Sequence, residues 1–215
     1  MKLQIAFDFI DLDQSLRIAG ETSPYADWLE VGTSLIKSAG IVAVRRFKEG
    51  FQKKEIVADM KILDAGERET RLACDSGADI VVVEACASTG TVRDVVRVAH
   101  DLGRKVMYDL LGTADVNAAA KRGRELGVDY LCFHKSTDER GIVGFTAEFK
   151  EVAQATGLPL VVAGRINEEN IAQVMSVGPE TLIVGAAITH ASDPGSAARR
   201  FGNIIHGKHP TVRSL

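Results

Sequence analysis

Residues 79–110 read Asp79-Ile80-Val81-Val82-Val83-Glu84, then Ala85–Gly103 with Thr91–Leu102 at its centre, then Arg104-Lys105-Val106-Met107-Tyr108-Asp109-Leu110. Asp79–Glu84 and Lys105–Leu110 are apolar runs without polar alternation, which is how a strand buried on both faces reads. Thr91–Leu102 carries apolar residues three and four apart, the spacing of a helix that packs one face, and Gly103 supplies the stop. A strand, a helix and a second strand in this order make a parallel pair with a helical crossover.

The unit recurs about every 25 residues along the chain. The other apolar runs are Leu3–Phe9, Trp28–Gly32, Glu55–Asp59, Tyr130–His134, Leu158–Ala163 and Thr181–Gly185. Helical spacing marks Ile36–Phe47, Asp115–Leu126 and Ala147–Ala155, with glycines 77, 127 and 157 before the next strand. Asn167 and Ser192-Asp193-Pro194 have the composition of helix starts. Eight strand–helix units predict one parallel α/β domain, and eight is the number that closes a (β/α)8 barrel. An open doubly wound sheet usually has a glycine-rich turn after its first strand, whereas this first strand ends Phe7-Asp8-Phe9-Ile10. The reading is a single (β/α)8 TIM barrel over residues 1–207 with a C-terminal tail, 208–215.

The bulk figures agree. At 215 residues, one barrel fits and two domains would be cramped. The net charge of −3 offers no basic face for nucleic acid or an anionic membrane, and no apolar stretch approaches a membrane span. Cys74, Cys86 and Cys132 have no C-x-x-C spacing and read as buried free thiols, in keeping with a cytoplasmic protein.

In a barrel the C-terminal strand ends converge on one mouth. Here they present Asp8, Glu30, Asp59 with Lys61, Asp109 and His134, followed by Ala163-Gly164-Arg165 and Gly185-Ala186. Taken singly, a strand-end Asp is a helix cap and a lone His a structural one. Six ionisable groups at equivalent positions point to a functional rim. Asp59 and Lys61 are two apart on a strand and therefore face the same side. Glu30 and Asp59 could give two carboxylates to one Mg²⁺, with Mn²⁺ as the alternative, and such an ion would steady an enediolate. Gly164, Arg165, Gly185 and Ala186 lie in the loops after strands seven and eight, the usual phosphate site of barrels.

Ala58-Asp59-Met60-Lys61-Ile62-Leu63-Asp64-Ala65-Gly66 resembles the D-x-K-x-x-D motif of the orotidine 5′-monophosphate decarboxylase superfamily. Within it, the chain is most similar to the branches of 3-hexulose-6-phosphate synthase and 3-keto-L-gulonate-6-phosphate decarboxylase. Leu29-Glu30-Val31-Gly32-Thr33, His134 with Asp138, and Ile183–Thr189 leading to Asp193-Pro194 agree in order. The resemblance implies a Mg²⁺-dependent homodimer acting on a sugar phosphate. Glu30 and Asp59 would sit at the metal, Asp8 and Lys61 at the substrate and its enediolate, and His134 would transfer protons. Asp64 would reach across the dimer into the partner's site. Tyr108-Asp109-Leu110 and Thr137, in His134-Lys135-Ser136-Thr137-Asp138, lean to the aldolase branch, while Ser136 is decarboxylase-like. One departure stands out: Arg165 replaces a glycine at the phosphate loop. A non-catalytic barrel with a blocked phosphate site, and an isomerase or epimerase using the same enediolate, are the competing readings. Glu84 is expected to point to the helix layer or a loop without a role, His100 and His190 to be surface or cap residues, and the end of the chain from His206 to be frayed.

Overall fold

The computed structural model describes residues 1–136, 138 and 146–207. Eight parallel strands form a closed barrel in sequence order, and the last pairs with the first. They are β1 (Lys2–Phe7), β2 (Trp28–Val31), β3 (Glu55–Ile62), β4 (Ile80–Glu84), β5 (Lys105–Asp109), β6 (Tyr130–His134), β7 (Leu160–Ala163) and β8 (Thr181–Val184). Around them run α1 (Leu12–Thr22), α2 (Thr33–Ala39), α3 (Val42–Gly50), α4 (Gly66–Asp75), α5 (Thr89–Asp101), α6 (Val116–Leu126), α7 (Thr146–Thr156), α8 (Ile171–Met175), α9 (Ala186–Thr189) and α10 (Pro194–Ile205).

Two apolar layers explain why the strands lack polar alternation. Val57, Ile80, Val82, Met107, Cys132 and Val161 fill the barrel interior. Ile5, Phe7, Leu29, Ile56, Val81 and Phe133 face outward into the layer that the helices cover. At the N-terminal end the interior is closed by Trp28 against Tyr130, edge to face with centroids 5.2 Å apart. Lys2 lies over the Trp28 ring at 4.7 Å and Lys105 over Tyr130 at 5.6 Å. These four residues open β2, β6, β1 and β5, so the polar heads sit at the bottom rim and the rings below the core.

The expected stops and starts are present. Asp115 accepts a hydrogen bond from the Ala118 amide at 2.9 Å, and Gly127, with φ of 85°, ends α6. Asp193 accepts one from the Ser196 amide at 2.8 Å, just before Pro194. Asn167 instead folds an Asx turn, accepting from the amides of Glu169 and Asn170, and α8 begins later, at Ile171.

Two expectations need correction. The stretch Ile36–Phe47 is not one helix but the end of α2 and most of α3, broken at Gly40, whose φ of 75° an ordinary residue resists. Cys74 and Cys132 are buried, but Cys86 is exposed in the loop after β4. No helix among the described residues is long and apolar enough to cross a membrane. The tail 208–215 lies outside the described residues.

Candidate active site

A cavity of about 850 Å³ opens at the C-terminal mouth. Asp8, Glu30, Asp59, Lys61, Asp109 and His134 all line it. So do Gly164, Arg165, Gly185 and Ala186. The rim that the strand ends predict is thus assembled in three dimensions. Asp64 is not in this cavity; it is exposed on the loop after β3, where its Oδ1 accepts from the Ala65 amide at 2.8 Å.

Lys61 is the centre of charge. Its Nζ lies 3.0 Å from Asp109 Oδ2, 3.4 Å from Asp59 Oδ1 and 3.5 Å from Glu84 Oε1. Burial alone would lower the ammonium's pKa, but Asp59 and Asp109 outweigh it and raise it well above the usual value. Its backbone has a φ of 47°, and β3 shifts register against β4 between Ala58 and Ile62. Such a conformation costs about 1–2 kcal/mol for a residue with a side chain, and it persists when the surroundings over-determine it. Three carboxylates on one ammonium do so.

Asp109 also receives His134: Nδ1 donates to Oδ2 at 2.8 Å. Burial opposes the charged imidazolium, yet the hydrogen bond and charge of Asp109 prevail and raise the His134 pKa. Burial likewise pushes the Asp109 carboxyl up, and His134 and Lys61 together bring it below its usual value. With Nδ1 committed to Asp109, Nε2 is the nitrogen left for a substrate.

On the other side of Lys61 the carboxylates crowd. Burial first, then the charges of Asp59 and Asp8, raise Glu30 well above its usual value. Burial and Asp59 raise Asp8. Gln4, wholly buried in β1, donates from Nε2 to Glu30 Oε2. Thr33, the first residue of α2, donates to Asp59 Oδ2 at 2.6 Å. Gly32 leaves room for Asp8, since a Cβ there would stand 2.2 Å from Asp8 Oδ1. Among the described residues, Asp59 Oδ1 is buried without a hydrogen-bond donor.

Among the described residues no group of three or more His, Cys, Asp or Glu side chains is set to enclose a metal ion. A hard cation completed by substrate oxygens and water needs only one or two protein carboxylates. Glu30 and Asp59 meet that smaller requirement. The excess of negative charge around them, and the donor-less Asp59 Oδ1, fit a divalent cation.

Across the mouth, Gly164 has a φ of 105°, and a Cβ on it would lie 2.3 Å from the Lys135 carbonyl oxygen. Arg165 follows with φ of 53° and an exposed side chain, its own carbonyl accepting from Asn170 Nδ2 at 2.9 Å. After β8, Gly185 leads into the single turn of α9, whose first amides have no partner within the helix.

Glu84 corrects its expectation. It does not point to the helix layer but is buried at the mouth against Lys61. Gln4 and Thr33 are also site residues that the sequence reading passes over. Val82 lines the cavity and Glu84 follows it by two, so the parity is present, but a strand apolar on both faces does not reveal which parity faces inward. His190 is exposed, as expected of a surface residue, yet it lines the cavity and stacks on Phe9 with centroids 4.8 Å apart. Thr137 lies outside the described residues.

Comparison with known proteins gives one direction. The model of the orotidine 5′-phosphate decarboxylase / HUMPS family matches residues 1–201. The 3-hexulose-6-phosphate synthase of Mycobacterium gastri is 34% identical over 202 residues, covering 94% of this chain and 98% of that protein. That of Bacillus subtilis is 30% identical, with 95% and 99% covered. The crystal structure of 3-hexulose-6-phosphate synthase from Salmonella typhimurium superposes with a TM-score of 0.91 at 32% identity, covering 97% of this chain and 100% of that one. KGPDC from Streptococcus mutans, in a ligand-bound crystal structure, superposes with a TM-score of 0.90 at 25% identity, over 96% and 97% of the two chains.

Proposed function

The chain belongs to the orotidine 5′-phosphate decarboxylase / HUMPS family, and from that premise we propose that it is a carbon–carbon lyase of the aldolase type, joining ribulose 5-phosphate to formaldehyde as a 3-hexulose-6-phosphate synthase does. One observation carries the reading. Lys61 stands between Asp59, of the Glu30–Asp59 carboxylate pair, and the Asp109–His134 pair, at the mouth of one cavity.

The chemistry follows from those positions. A proton passes from the sugar carbon beside the ketone to His134 Nε2, and the electron pair spreads onto the adjacent oxygens as an enediolate. The Lys61 ammonium donates to the developing oxyanion, and Asp8 accepts from a sugar hydroxyl. The enediolate carbon then bonds to the formaldehyde carbon, and the C=O pair moves onto the formaldehyde oxygen, which takes up a proton. His134 Nε2 returns the sugar proton to that oxygen, with Asp109 fixing the ring and favouring its charged form between the two transfers. Mg²⁺ or Mn²⁺ held by Glu30 and Asp59 would supply Lewis-acid stabilisation of negative charge on neighbouring sugar oxygens.

The phosphate is assigned to Gly164, Arg165, Gly185 and Ala186, which lie across the mouth from β3 and β4 in the eight-strand order. Asp64 is assigned to the partner's site in a homodimer. It is exposed beside Leu63, an apolar side chain 56% exposed.

The test is a pair of assays, with and without a divalent-metal chelator. Formaldehyde consumption with ribulose 5-phosphate is expected, falling at least about tenfold on chelation and returning with Mg²⁺. Release of CO2 from 3-keto-L-gulonate 6-phosphate instead would move the chain to the decarboxylase reading. Silence of the folded protein with both would leave the non-catalytic reading. In the active assay, Arg165→Ala is expected to raise KM for the sugar phosphate about tenfold with kcat within about twofold, the mark of a contact made equally in ground and transition states. An unchanged KM removes Arg165 from the phosphate site.

A further inference from the structure

β4 lies between β3 and β5, and Glu84 is the register partner of Asp109. To reach Asp109, Lys61 must therefore pass over the end of β4, where Glu84 stands 3.5 Å from its Nζ. Glu84 is 8% exposed and, unlike Asp59 and Asp109, is not among the residues that line the cavity. Among the described residues its Oε1 is buried without a hydrogen-bond donor, and Lys61 is the cation it faces. Burial, then the charge of Asp109, push its carboxyl up to about 7, and Lys61 works against both. A buried carboxylate outside the cavity lining, with Lys61 as its one cationic partner among the described residues, acts through that partner.

We propose that Glu84 is a positioning residue for Lys61, the third carboxylate of a cradle that fixes where the ammonium stands at the mouth of the barrel. Asp59 and Asp109 hold the ammonium from β3 and β5, and Glu84 holds it from the strand between them. Lys61 leaves its strand through a left-handed backbone conformation, so the direction of its side chain is set by what the ammonium meets rather than by the pleat. Removing Glu84 leaves the charge in place and frees its position.

This inference rests on the reading of Lys61 as the group that contacts the enediolate, and two measurements separate the fates of the two ideas. The first is steady-state kinetics with ribulose 5-phosphate and formaldehyde. Glu84→Gln is expected to lower kcat by about 10- to 100-fold, with KM within about twofold, because misplacement of a reacting group by about an ångström has that effect. Glu84→Asp, which keeps the charge but falls short by one methylene, is expected to lie between. The second is thermal unfolding of Lys61→Met with Glu84 or Gln at position 84, which needs no substrate. The loss of Tm caused by Lys61→Met is expected to shrink when Gln is present, since the carboxylate left unpaired is then absent. Glu84→Gln alone is expected to keep the wild-type Tm or exceed it, so a loss of kcat cannot be ascribed to unfolding. Equal kcat for wild type and Glu84→Gln, or equal Tm losses in the two backgrounds, overturns the inference. If wild type turns over neither sugar phosphate, the proposed function falls while the thermal cycle still decides whether Glu84 holds Lys61.

Discussion

Lys61→Met is expected to lower kcat at least about 1000-fold, at the upper end of what one charge-stabilising donor contributes to a transition state. The same substitution is expected to cost about 3 kcal/mol of stability, the low end for breaking a buried ion pair. Both effects have one cause. Asp59, Glu84 and Asp109 crowd around this ammonium, whose side chain is only 25% exposed. Methionine fills a similar volume and offers no charge, so three buried carboxylates lose their common counter-ion. Some of them would then take up protons, which limits the loss of stability but, in the proposed mechanism, leaves the oxyanion without its donor. Urea unfolding and initial rates on the same preparation measure the two effects. A variant with kcat within about tenfold of wild type would remove Lys61 from its proposed role at an enediolate.

Gly164→Ala is expected to destabilise the barrel by about 3 kcal/mol or more, the sum of overpacking and an unfavourable backbone angle. The residue sits at φ of 105°, where side chains are strained, and the new Cβ would lie 2.3 Å from the backbone oxygen of Lys135. That oxygen belongs to the residue after His134. Backbone does not yield like the end of a flexible side chain, so the β6 and β7 loops must move apart. For a chain of 215 residues, a Tm lower by about 6–12 °C follows. Gly185→Ala is the control. Gly185 has φ of −100°, and a Cβ there would meet its first neighbour, the Ala6 carbonyl, only at 3.7 Å. A Tm for Gly164→Ala within about 2 °C of wild type would mean that the loops give way freely.

The fold is legible because parallel strands buried on both faces leave uninterrupted apolar runs. All eight runs are strands, with ends displaced by a few residues. What is illegible has a common source in the same property. An apolar run marks a strand without saying which parity faces the barrel interior, so the sequence alone points Glu84 outward and gives no sign of Gln4. Strand alternation places Asp59 and Lys61 together, and they are together, yet β3 slips register between Ala58 and Ile62 and Lys61 takes a left-handed angle. Alternation yields a correct proximity without foreseeing that backbone. The break at Gly40 is hidden because apolar spacing runs through it. The exposure of Cys86 is hidden because small residues suit a loop as well as a core.

The ring pair at the base of the barrel has a kinetic meaning. With Trp28 and Tyr130 stacked edge to face and Lys2 and Lys105 laid over them, the tube is stoppered at its amino end. Traffic is therefore two-way through one doorway. In the proposed reaction, a one-carbon electrophile would have to slip past a sugar phosphate held at the rim, or arrive ahead of it. The larger product, keeping the same phosphate, would leave through the opening by which its successor enters. On that reading, product and fresh sugar would exclude one another at the doorway.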